Sequence, residues 1–171
     1  MNRKNMDNNT AKGAVKCIVD SLNAKTPNLM EVICMEQLEE QEKLLFIKMT
    51  MPNLHKNGIR VFALAETESE LLKLNEYIEE NYPQIEVVES ATVEEHGISE
   101  DMLLNRVNGT ETDCIVSVLN SSLQDDFIER NKALLNTRMW IGFSGLFNKL
   151  REEQTLWGRI KKFFVLQSNK K

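Results

Sequence analysis

From Gly58 onward the sequence alternates strand-length apolar runs with helix-length amphipathic ones, and that alternation leaves few folds open. The apolar runs are Ile59 to Ala65, Ile85 to Val88, Asp113 to Leu119 and Met139 to Phe143. Between them lie residues at helical spacing: Leu71, Leu72, Leu74, Tyr77 and Ile78, then Met102, Leu103, Leu104 and Val107, then a helix from about Leu123 to Leu135. Repeated strand–helix units dictate a parallel sheet, because a parallel neighbour is reached only through a crossover. The strands are apolar throughout rather than alternating, as when helices cover both faces. The expected fold is a three-layer α/β sandwich with a mostly parallel, Rossmann-like sheet.

Local signals mark the element ends. Thr67 with Glu70 three residues on forms a capping-box pattern. Asn81-Tyr82-Pro83 stops that helix, Ser99 caps the next, and Asn108-Gly109 closes it. Asn120, Ser121 and Ser122 precede the helix after that, with Ser121 or Ser122 expected as its cap. Upstream, Ala14, Val15, Ile18, Val19 and Leu22 predict a helix over 10–22, and Leu29 to Met35 predicts a strand. Leu38, Leu44, Leu45 and Met49 predict a helix over 37–49 that Pro52 interrupts. This organisation implies a disordered tail over 1–9, one α/β domain over 10–150 and a basic amphipathic segment over 151–171. A chain of 171 residues buries roughly 70% of the surface that its unfolded form exposes, enough for a core without staples.

Charge and composition exclude several functions. A formal net charge of -5 argues against general nucleic-acid binding. Three cysteines, Cys17, Cys34 and Cys114, sit in apolar company with no CxxC spacing, and read as buried thiols of a reducing compartment. His55 and His96 have no second ligand at metal spacing, so neither a metal nor a cofactor is expected. The polar first ten residues do not read as a secretory leader, and no apolar run approaches the roughly 18 residues of a membrane span. There is no P-loop, no GxGxxG and no Ser-His-Asp or Cys-His set.

Chemistry is then expected beyond the carboxyl ends of the strands, where an open parallel sheet keeps its ligand. The stretch from Asp113 to Asn148 reads strand, loop, helix, strand, loop. Its motifs, in order, resemble the WecG/TagA/CpsF family of bacterial glycosyltransferases. The family pattern Gly-x-x-Val-Phe-x-Leu-Gly-Gly is similar to Gly58 through Glu66, and its Tyr-Pro to Tyr82-Pro83. Its Arg-Ile-Asn before an Asp-Ile-Leu strand resembles Arg106 to Asn108 and Asp113 to Ile115. Its Gly-Leu-Gly-x-Pro-x-Gln-Glu-x-Trp-Ile resembles Val118 to Ile128, and its Ile-Gly-Val-Gly-Gly-x-Phe-Asp resembles Ile141 to Asn148. The likeness covers about residues 58 to 150.

The resemblance implies transfer of an N-acetylhexosamine, such as N-acetylmannosamine, from a UDP-sugar to a lipid-linked acceptor in cell-envelope polysaccharide synthesis. The substrate-binding positions it implies are Ala65, Glu66, Asn120, Gln124, Asp125, Gly142, Gly145 and Asn148. Several depart from the family pattern. Ala65-Glu66 replaces a Gly-Gly that would let backbone approach a phosphate. Asn120 and Ser122 replace a glycine and a proline, and Asn148 replaces an aspartate. The Thr-x-Asn motif and the aspartate presumed to act as general base have no counterpart between Asp20 and Gly58. Each position also has a structural reading. Gln124 and Asp125 fit a helix start, Asn120 and Asn148 fit turns, Glu66 fits a helix-start residue, and Gly142 and Gly145 fit close packing.

The end of the chain carries Trp157, Arg159, Lys161, Lys162, Phe163 and Phe164, with no acid after Glu153. Such a segment suits either an anionic membrane surface or docking on the domain core. The expected location is cytoplasmic, peripheral on the inner face of the cell membrane. Three functions stay open: a diverged domain, weakly active or inactive, that binds a UDP-sugar; a non-catalytic binding or scaffolding relative acting through protein partners; and an active transferase; an oligomer is compatible with each. An unrelated flavodoxin-like module is a further alternative.

Overall fold

A computed structural model describes residues 31–33, 40–93, 99–153 and 155. The expected helix over 10–22, Cys17, Cys34, His96 and the basic segment from Trp157 onward lie outside these. The elements in chain order are β1 (Glu31–Ile33), α1 (Glu40–Lys56), β2 (Arg60–Ala65), α2 (Glu68–Asn81), β3 (Glu86–Thr92), α3 (Glu100–Gly109), β4 (Cys114–Val118), α4 (Ser121–Asn131) and β5 (Met139–Gly142). A 3-10 turn over Ser144–Leu146 then leads into helical residues 147–153.

The five strands form one sheet in the order β1-β5-β4-β2-β3, and every neighbouring pair is parallel. Alternate residues serve opposite faces, and both faces are apolar. Val61, Ala63, Ala65, Cys114, Val116, Val118, Met139 and Ile141 share one core with α1, α2 and residues 147–153. Phe62, Leu64, Ile115 and Trp140 share the other with α3 and α4. This is the three-layer α/β sandwich that the apolar strands imply.

The division of helices follows from connectivity. The chain moves in one direction across the sheet from β1 to β2 to β3, and α1 and α2 share a face. It moves back from β3 to β4 to β5, and α3 and α4 share the other. Crossovers of one handedness require that outcome. The reversal falls between β2 and β4, whose following segments depart to opposite sides. Their carboxyl ends therefore flank a crevice at the topological switch point.

Several expected boundaries move. Pro52 does not interrupt its helix, which runs on to Lys56. The missing proline N–H falls opposite the carbonyl of exposed Lys48, while fully buried Met51 and Leu54 hold both sides of the proline on the core. Asn53 Nδ2 also donates to Met49 O at 2.7 Å. In the same helix the buried residues are Phe46, Ile47, Thr50, Met51 and Leu54, and Leu45 is exposed. Leu72 and Met102, grouped by spacing with their apolar neighbours, are likewise exposed.

The strand expected over 85–88 extends from Glu86 to Thr92. Its polar half is kept in the sheet by distant partners. Arg106 Nε meets Glu89 Oε1 at 2.5 Å, Arg106 Nη2 donates to Ser90 O at 2.9 Å, and Ser90 Oγ donates to Asn75 Oδ1 at 3.2 Å. The helix expected to reach Leu135 ends at Asn131, whose carbonyl instead accepts from the N–H groups of Leu134 and Leu135. At the far end, Phe147 and Leu150 are buried, and Lys48 Nζ meets Glu153 Oε2 at 2.6 Å. The helix of residues 147–153 thus crosses position 150, where the sequence divided domain from tail.

Candidate functional site at the carboxyl ends of the strands

Glu66 and Asn120 meet across the switch-point crevice. Glu66 follows the last residue of β2, and its N–H donates to Val118 O at 3.0 Å, extending the ladder one residue past the strand. Its carboxylate Oε2 accepts from Asn120 N at 3.2 Å and from Asn120 Nδ2 at 2.9 Å. Thr67 then caps α2, with the full capping box to Glu70. Ala65 itself is fully buried and takes part in the core.

Asn120, not Ser121 or Ser122, is the cap of α4. Its Oδ1 accepts from Leu123 N at 2.9 Å, with extended backbone at φ -67° and ψ 150°. The side chain thus serves two groups at once, its oxygen on the helix and its nitrogen on Glu66. Asn120→Ala is expected to cost about 1 kcal/mol of stability, the ordinary value of such a cap. A urea melt unchanged within about 0.3 kcal/mol would contradict it.

A second polar group is sealed beneath the ends of β4 and β5. Gln124 lies on the first turn of α4 but is only 2% exposed. Its Oε1 accepts from Ser117 Oγ at 2.8 Å, and that oxygen accepts from Trp140 Nε1, also at 2.8 Å. Gly142 makes the arrangement possible. A Cβ there would stand 2.1 Å from Gln124 Oε1 and 2.7 Å from Nε2. Gln124 and Gly142, separated in sequence, are therefore one packing unit.

The other expected positions lie apart. Asp125 is half-buried on α4. Gly145 and Asn148 are exposed at the start of the segment after β5, and no hydrogen bond among the described residues joins Asn148 to Glu66, Asn120 or Gln124. Sequence reasoning missed Ser117 and Trp140. The signal was present in Ser117, a lone polar residue inside a buried apolar strand, because such a hydroxyl requires a partner.

Other chemistry is limited. Burial pushes the Cys114 thiol far above its ordinary range, so it is no nucleophile. Burial, with Tyr82 beside it, likewise holds the Tyr77 phenol protonated. His55 Nδ1 accepts from Gln84 N at 3.1 Å. Among the described residues no group of three His, Cys, Asp or Glu could hold a metal ion, and no helix is long and apolar enough to cross a membrane.

The model of the glycosyl transferase WecG/TagA/CpsF family matches residues 39–156 of the 171-residue chain. The chain belongs to the WecG/TagA/CpsF family. A comparison with curated protein sequences finds no match. The matched span begins upstream of Gly58, so the WecG/TagA/CpsF likeness takes in all of α1 as well as the helical residues 147–153.

Proposed function

We propose that this chain is a diverged WecG/TagA/CpsF domain of cell-envelope polysaccharide synthesis, weakly active or inactive as a sugar transferase. The observation that carries this reading is the burial of Gln124. The one glutamine of the helix that opens beside the crevice is 2% exposed and committed to Ser117. Its carbonyl oxygen is held by Ser117, and the side chain offers almost no surface to a ligand. Asn148, exposed after β5, can exchange hydrogen bonds but carries no charge to accept a proton. Inverting sugar transfer needs a base within hydrogen-bond reach of the acceptor hydroxyl.

Release of UDP from UDP-N-acetylmannosamine or UDP-N-acetylglucosamine, with a lipid-linked acceptor present, tests this directly. Turnover is expected below about 10⁻³ s⁻¹, against roughly 1 s⁻¹ or more for ordinary enzymes. Turnover near 1 s⁻¹ would establish the active-transferase reading instead. A purely partner-binding role is the second reading, favoured by the same mutual satisfaction of polar groups. It requires that no UDP-sugar raise the melting temperature even at millimolar concentration.

A further inference from the structure

We propose that Glu66 is a built-in anion that keeps a nucleoside diphosphate out of the switch-point crevice. The inference rests on the reading above and names what regulates that same site. In a doubly wound sheet, the space between two diverging strands receives a ligand's phosphates, because backbone N–H groups there face outward. Here a carboxylate already takes that role. Glu66 Oε2 receives both the backbone N–H and the side-chain amide of Asn120, the residue that opens α4. The Glu66 N–H is spent on Val118 O, so the ladder closes the floor of the crevice between the two strands. At the mouth of α2, the capping box engages the N–H groups of Thr67 and Glu70 with the chain's own side chains.

The consequence is electrostatic as well as steric. A diphosphate entering between the carboxyl ends of β2 and β4 meets the Glu66 charge at close range, where like charges repel strongly at protein surfaces. It also finds the Asn120 N–H already engaged. Only Oε2 of the Glu66 carboxylate meets Asn120, and the half-buried side chain keeps its charge at the end of β2. Glu66 is thus a specificity-determining residue that acts against anions.

Titration calorimetry of the full chain with UDP, repeated with inorganic pyrophosphate, tests the proposal on three variants. Glu66→Gln keeps an oxygen for Asn120 and removes the charge. Glu66→Gly removes both. Glu66→Asp keeps the charge on a shorter stem. Tightening of UDP by at least about tenfold is expected in E66Q or E66G but not in E66D. For E66Q, the advantage over wild type should shrink as salt rises through the range that screens surface charge. Thermal melts of each variant verify that the fold is intact. Equal UDP affinity in wild type, E66Q and E66G overturns the proposal, as does an equal gain in E66D. Either result leaves the turnover reading standing, since UDP release decides that one independently.

Discussion

Replacing Ser117 by alanine is expected to destabilise the domain by about 3 kcal/mol, because one deletion orphans two buried groups. Ser117 is fully buried, donates to Gln124 Oε1 and accepts from Trp140 Nε1. Without the hydroxyl, an indole N–H that is almost wholly enclosed loses its acceptor, and the Gln124 oxygen loses its donor. Each unmet group costs about 1–3 kcal/mol. For a chain of this length, a loss of 3 kcal/mol lowers Tm by roughly 6–12 °C. Removing the partners as well should recover much of it. The triple variant S117A/W140F/Q124M, with no polar atoms left to satisfy, is expected to be more stable than S117A alone. Urea denaturation of the two proteins checks this. If S117A lay within 0.5 kcal/mol of wild type, the three residues could not be a connected network.

Gly142→Ala is expected to cost about 2–3 kcal/mol, again through Gln124. The added methyl would overlap the Gln124 amide, with 2.8 Å to its Cδ as well as the shorter distances to its terminal atoms. An amide at the end of a flexible side chain could normally swing aside. This one is enclosed by the core and bonded to Ser117, so moving it breaks the network. The substitution should therefore be almost free when Gln124 is already alanine. A double-mutant cycle between G142A and Q124A is expected to show coupling of about 2–3 kcal/mol. Additive effects would mean that the glycine serves a different purpose.

These two sites show where the sequence was readable and where it was not. The capping box at Thr67 and Glu70 was legible because its two partners are three residues apart. The apolar strands and the helix spacing between them were legible for the same reason, and they sufficed for the layered architecture. The glycine at 142 was recognisable as a packing residue, but not what it packs against. Its partner lies 18 positions away, across a loop and a strand. The cap of α4 was misplaced by one or two residues because Asn120, Ser121 and Ser122 all have suitable side chains. The choice was made by Glu66, which lies 54 residues upstream and holds Asn120 in place. The polar end of β3 was missed for a similar reason. Glu89 and Ser90 look like a loop until Arg106 and Asn75 are brought to them.

The pairing of the first described strand carries a consequence for how the chain assembles. Glu31–Ile33 lies in register with Met139–Ile141, so among the described strands β1 has its one sheet neighbour near the far end of the fold. Every other strand has a neighbour much closer in sequence, as β2 does in β3. Closing the longest loop carries the greatest entropic delay, and contacts of large sequence separation slow the search. During synthesis β1 can take this place in the sheet only once β5 has been made. Of the described strands, β2 to β5 can therefore associate among themselves before β1 is added at the edge.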